Sequence, residues 1–271
     1  MIAAVVACLA LVGAAANPAP AVQRIPDRFP GAATAYVVAI DGEVRWQRAA
    51  EQPLPPASLT KILSAIVLLE SGWDPRAVIT VSPRAAALPG TRLRLQAGEQ
   101  LYAGDALTAM VVASANDACL ALAEHAAGSV EVFVDRINAR AAELGLGQTR
   151  YRNPCGLPAD DHVSSAADLL RMAELAMALP EFARMAGLSA ATISTLQGHR
   201  LSLRTTNMLL GRVQGVTGVK TGFTQQAGKC LVAMAQRDGT RVVVVLLSAP
   251  DRWWTAAALF EEAFHVARPA R

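Results

Sequence analysis

Three different rhythms of apolar and polar positions follow one another along the chain. Near the start, Ala33 to Ile40 and Glu43 to Arg48 are strand-like runs, and Asp41-Gly42 between them is a preferred two-residue hairpin turn. Pro53 to Pro56 then break the chain, and an almost wholly apolar segment from about Ser58 to Glu70 predicts a helix. A helix that is apolar on nearly every face belongs inside the molecule. Residues 105–127, 129–144 and 165–179 continue with helical periodicity, Gly128 and Gly145 act as stops, and Arg150 to Pro158 is rich in turn formers. The last third changes rhythm again. Val216 to Thr224, Lys229 to Gln236 and Arg241 to Ser248 are predicted strands, with Asp238-Gly239 turning between the last two and a closing helix from about Arg252 to Ala267. Strands at both ends with helices between them predict an α+β fold, in which one sheet is assembled from both termini and a mostly helical subdomain, roughly residues 80–200, is inserted.

The first sixteen residues lie outside these rhythms. Positions 2–16 are all apolar or small, a run short of the roughly 20 residues a membrane span needs. It ends in Ala14-Ala15-Ala16, which marks 1–16 as a secretory signal peptide, although no basic residue precedes the apolar run. The Pro- and Ala-rich stretch 17–30 reads as a linker, leaving 31–271 as the mature domain. The expected destination is therefore outside the cytoplasm, in a periplasm or cell-wall space.

Composition narrows the function classes. With 53% hydrophobic and 17% charged residues the chain can bury a sizeable core, which excludes a disordered protein. A net charge of +3, with no basic run and no basic–aromatic stripe, argues against nucleic acid as a partner. Of the four cysteines, Cys8 falls in the leader. The other three (Cys119, Cys155 and Cys230) form no C-x-x-C pair, and their odd number argues against a full disulfide framework. The four histidines stand alone, and no metal-ligand spacing or cofactor motif occurs.

The chemistry is signalled by lysine. Only three of the 25 basic residues are lysines, at 61, 220 and 229. Unlike arginine, lysine can give up its proton when buried, so retained lysines are candidates for acid–base work. Ser58-Leu59-Thr60-Lys61 places a hydroxyl and an amine on one helix face. Helix-start position and apolar neighbours should both lower the Lys61 pKa, freeing an amine to take the Ser58 proton. Ser114-Ala115-Asn116 offers a second hydroxyl for proton relay and an amide to hold a substrate amide. Lys220-Thr221-Gly222 lies on a predicted strand, where Lys and Thr can bind a carboxylate and Gly lets a substrate backbone approach. Each of the first two strings alone reads as an ordinary helix start. The third is expected by chance only about 0.01 times in such a chain, and the three together are far rarer.

In this order and spacing the three motifs resemble the serine-type D-alanyl-D-alanine carboxypeptidases, the low-molecular-mass penicillin-binding proteins. The similarity extends to Pro55-Pro56-Ala57, Asn153-Pro154-Cys155-Gly156-Leu157, Gly215 to Thr224 and Ala227-Gly228, and covers about residues 31–265. It implies a β-lactamase/transpeptidase-like fold, with about five antiparallel strands flanked by helices, and a cleft against the helical subdomain. It further implies that Ser58 attacks the D-Ala-D-Ala carbonyl of a peptidoglycan stem peptide, with Lys61 as base and Ser114 delivering a proton to the departing D-Ala. Asn116 would orient the substrate amide, and Lys220 and Thr221 would bind the terminal carboxylate. The amides of Ser58 and Phe223 would form an oxyanion hole, with Gly222 beside them and Arg252 supporting the carboxylate site. No cofactor is implied, and β-lactams would be covalent inhibitors.

Some features depart from the family pattern. Thr206 stands before Asn207 where many relatives carry a basic residue, and no second β-rich domain or amphipathic anchor follows, so no stable membrane anchor is expected after cleavage. Cys119, one helical turn beyond Asn116, reads as a small core residue. A β-lactamase would need a Glu-positioned water, usually in a Glu-x-x-Leu-Asn loop, and no such string occurs. A DD-endopeptidase on the same scaffold and a non-catalytic wall-binding module remain as alternatives.

Overall fold

A computed structural model describes residues 25–267. The expected signal peptide and most of the linker lie outside the described residues. The Asp41-Gly42 turn, with both residues at positive φ, joins β1 (Ala35–Ile40) to β2 (Glu43–Arg48) as a hairpin. A 3₁₀ turn over Ala57–Thr60 then leads into α1 (Lys61–Glu70), which is buried along most of its length. The middle of the chain contributes β3 (Val78–Thr80), α2 (Pro83–Ala86), β4 (Gln100–Tyr102), α3 (Ala103–Val112), α4 (Asn116–Ala127) and α5 (Val130–Glu143). It continues with α6 (Ala166–Ala178), α7 (Pro180–Ala186), β5 (Ala190–Ser194) and β6 (Arg200–Arg204). The last third supplies β7 (Val216–Thr224), β8 (Gly228–Arg237), β9 (Thr240–Leu247) and α8 (Arg252–Ala267).

Five strands form one antiparallel sheet in the order β2-β1-β9-β8-β7, so the two ends of the chain meet where β1 pairs with β9. Strand β9 reads Val242-Val243-Val244-Val245-Leu246-Leu247 because both of its faces are covered. Val243, Val245 and Leu247 join Val37 and Ala39 in the core shared with α1 and α6, whereas Val242, Val244 and Leu246 join Tyr36 and Val38 against α8. From α8 come Ala256, Leu259, Phe260, Ala263 and Phe264. The period of two in the strands and of 3.6 in α8 thus resolve onto one packed layer.

The predicted helix 105–127 is in fact two helices. Ser114, at φ +61°, breaks it between α3 and α4, and no Gly or Pro announces the break. Other ends obey local rules. Gly128 caps α4 in the left-handed conformation, and the side chains of Ser129 and Ser165 accept from the third residue beyond them to start α5 and α6. The hairpins β3/β4 and β5/β6 are too short and too exposed to stand out in the apolar pattern.

Candidate active site

The 3₁₀ turn carries Ser58, and Lys61 opens α1 three residues later, so the two side chains share a face and Nζ lies 3.1 Å from Ser58 Oγ. Lys61 is fully buried. Its Nζ is also 2.8 Å from Asn116 Oδ1 and 2.6 Å from the Cys155 carbonyl oxygen. Burial first, and the charge of Lys220 second, hold its pKa well below the usual lysine range, against an opposing pull from Asp117. A neutral amine has two N–H groups and one lone pair. With the Cys155 and Asn116 oxygens accepting both N–H groups, the lone pair is left for the Ser58 hydroxyl.

The strand β7 closes the other side. Lys220 Nζ donates to Ser114 Oγ at 2.8 Å and to the Thr221 carbonyl at 3.2 Å. Burial, then the Arg252 guanidinium, lower the Lys220 pKa to about 7. Thr221 Oγ1 lies 2.6 Å from Thr206 Oγ1. Gly222 faces the nucleophile turn, where a Cβ would come within 2.8 Å of the Pro56 carbonyl oxygen and 3.1 Å of Ala57 Cβ. That contact is a reason for Gly222 besides substrate access. The Phe223 side chain is 61% exposed. Arg252, in the first turn of α8, donates to the carbonyls of Gly222 at 2.6 Å and Cys230 at 3.0 Å, so it holds the back of β7.

A network behind Ser58 shapes the turn. Ala57 has φ +49°, uncommon for a residue with a Cβ. The Thr60 hydroxyl donates to the Ala57 carbonyl at 2.8 Å. His162 Nδ1 accepts from the Arg152 amide at 3.0 Å, which assigns the proton to Nε2, 2.8 Å from Thr60 Oγ1. Burial above all lowers the His162 pKa to about 4, keeping the ring neutral. The loop 153–157 folds on Asn153, whose Oδ1 accepts from the amides of Cys155, Gly156 and Leu157. On the opposite side, Asn116 Nδ2 donates to the Pro89 carbonyl at 2.7 Å, and the Asp117 carboxylate accepts from the amides of Leu93 and Leu95. These bonds tie the 89–95 segment to the start of α4.

The family model for D-alanyl-D-alanine carboxypeptidase matches residues 30–251. The chain belongs to this family. Among D-alanyl-D-alanine carboxypeptidases it is 33% identical over 213 residues to DacF of Bacillus subtilis, covering 77% of this chain but only 54% of that protein. It is also 33% identical over 250 residues to DacB2 of Mycobacterium tuberculosis, covering 89% of this chain and 84% of the relative. A D-alanyl-D-alanine endopeptidase of Pseudomonas aeruginosa is 31% identical over 211 residues, 77% of this chain and 68% of its own length. The crystal structure of a Streptomyces DD-transpeptidase superposes with a TM-score of 0.82 at 27% identity, covering 86% of this chain and 97% of that one. A penicillin-binding protein of Listeria monocytogenes, solved in its ampicillin-bound form, gives a TM-score of 0.75 at 30% identity, covering 86% and 97%. The β-lactamase/transpeptidase-like fold expected for the family is therefore the fold of this chain.

Hydrogen bonds join Lys61 to Ser58 and Asn116, Lys220 to Ser114 and Thr221 to Thr206, and Gly222 lies against the turn bearing Ser58. One expectation is overturned. Cys119 is not an isolated core thiol but is joined by a disulfide to Cys155, and Cys230 is left free and buried. An odd count still permits one bridge, and a pair 36 residues apart has no local spacing to betray it. His162, set aside as a lone histidine, proves to sit in the network behind the nucleophile turn. The Asn153-Pro154-Cys155 string was visible as a family signature, but its carbonyl role was not.

Proposed function

We propose that this chain is a serine DD-carboxypeptidase that removes the terminal D-Ala from peptidoglycan stem pentapeptides. The observation that carries this reading is the buried Lys61 amine, 3.1 Å from Ser58 Oγ with two other acceptors already in reach. Lys61 takes the Ser58 proton as Oγ bonds to the penultimate D-Ala carbonyl carbon, and the amides of Ser58 and Phe223 receive the oxyanion. The C–N bond then breaks, and the proton taken up by Lys61 reaches the departing amine through Ser114, which accepts one proton as it gives up another. Water afterwards hydrolyses the ester on Ser58. Lys220 and Thr221 bind the terminal carboxylate as a charge-assisted pair, while Asn116 orients the substrate amide. Arg252 supports that site indirectly, through the Gly222 carbonyl. No cofactor enters this scheme. The apolar leader agrees with export to a periplasm or cell-wall space.

β-Lactams should acylate Ser58 and leave slowly, since the chain lacks the Glu-positioned water loop of a lactamase. The test is labelling of the purified protein with a fluorescent penicillin, with and without Ser58→Ala. Stable label lost in the variant is expected. Label that forms and disappears within seconds would make the protein a β-lactamase, and an unlabelled protein would be a binding module. The relatives named as endopeptidases support a second reading, cleavage of cross-links on the same scaffold. Release of D-Ala from a pentapeptide, set against cutting of a cross-linked dimer, separates the two.

A further inference from the structure

The disulfide joins Cys119 to Cys155 with their Cα atoms 6.0 Å apart. Each end adjoins one of the two oxygens that receive the Lys61 N–H groups. Cys155 provides one oxygen itself, the carbonyl 2.6 Å from Nζ. Cys119 lies three residues beyond Asn116 on α4, and Asn116 Oδ1 is the other oxygen, 2.8 Å from Nζ. The bridge therefore completes a ring around the amine. It runs from the Cys155 carbonyl through both sulfurs, back along one turn of α4 to Asn116, and returns to Nζ through hydrogen bonds.

The loop has other attachments. Ser64, one turn beyond Lys61, donates to the Pro154 carbonyl at 2.6 Å, and Gly156 packs on the Ala57 carbonyl. Those contacts hold the loop against α1, but none of them links it to α4. The bridge alone fixes covalently the separation between the two acceptors.

We propose that the Cys119–Cys155 bridge is a positioning element for the general base, holding the two acceptors of Lys61 at the spacing that aims its lone pair at Ser58 Oγ. A lysine amine ends a flexible four-carbon stem and takes its direction from its partners. Displacement of a reacting group by about 1 Å can cost up to ~100-fold in rate. The inference rests on the acyl-enzyme reading above, and its test separates the two.

Both cysteines are 1% exposed, so substitution is a more direct probe than reduction. Acylation by a fluorescent penicillin is followed in single turnovers, which resolves the binding constant from the rate constant for covalent attachment. The proteins compared are the wild type, Cys119→Ala/Cys155→Ala, and Leu259→Ala, a core truncation on the α8 side of the sheet. The double variant should lose about tenfold or more in the covalent rate constant. Its binding constant should change far less than the rate constant, because Lys220 and Thr221, the proposed carboxylate partners, lie on β7, which carries neither end of the bridge. Leu259→Ala should lower stability without changing the covalent rate constant.

A covalent rate constant that matches the wild type in the double variant overturns the proposal, as does a parallel decline of rate and binding. If the double variant does not fold, Cys119→Ser and Cys155→Ser carry the same comparison. A fold lost in all three also overturns it, because the bridge then serves the fold and not the base. A wild type that takes no label defeats the acyl-enzyme reading first, and this inference with it.

Discussion

Lys220 sits 2.8 Å from Ser114 Oγ, with burial and Arg252 lowering its pKa to about 7. In the free enzyme it is therefore charged below about pH 7 and loses its proton above. Lys61, held well below the usual lysine range, stays unprotonated as the pH rises. The expected result is a KM for a D-Ala-D-Ala peptide that increases above about pH 7, with kcat not falling alongside it. Steady-state profiles measure this, and a KM flat from about pH 6 to 9 would contradict it. His162 gives a second prediction at this scale. Its folded pKa of about 4 lies below the ordinary 6.5, so its contribution to stability is complete above pH 6.5 and is lost as the pH falls toward 4. The loss amounts to on the order of 3 kcal/mol. Denaturant melts of the wild type should weaken across that window, and His162→Gln should flatten the dependence. An unchanged slope in the variant would rule it out.

Between elements, the 153–157 loop lies close against the turn bearing Ser58. Gly156 has φ +80°, and a Cβ there would overlap the Ala57 carbonyl. Gly156→Ala should cost about 1–3 kcal/mol from backbone strain alone. It should also displace Ser58 and reduce penicillin labelling at least tenfold, roughly the cost of a small misplacement of reacting groups. Labelling at wild-type rate would show that the turn tolerates the push. Contacts of this kind also explain what could be read beforehand. The strands β7 to β9 and the helices α1, α5, α6 and α8 were legible because each presents a repeating apolar face to a core. The candidate site was legible because two of the three lysines in this chain fall in its motifs. The Ser114 break, the Cys119–Cys155 bridge and the Thr60–His162 bond were not. Each arises where segments remote in sequence meet, and no periodicity records such a meeting.

Over the whole molecule, the sheet separates the cleft from a second core beneath α8. Leu259 is buried in that core with Phe260 and Leu246. Leu259→Ala should lower stability by about 2–5 kcal/mol through lost burial and the cavity left behind. Calorimetry reads the loss, and labelling well below the melting temperature should proceed at the wild-type rate. A matching loss of labelling would mean that the two cores are not independent. The pairing of β1 with β9 has a kinetic corollary. Val37 faces Val245 in the ladder, so a nascent chain leaving its source N-terminus first keeps one edge of β1 open until the last described strand, β9, arrives. Such distant pairing delays folding. On the proposed reading, Ser58, Lys61 and Lys220 come together only late in that passage, so a half-delivered polypeptide should be inert.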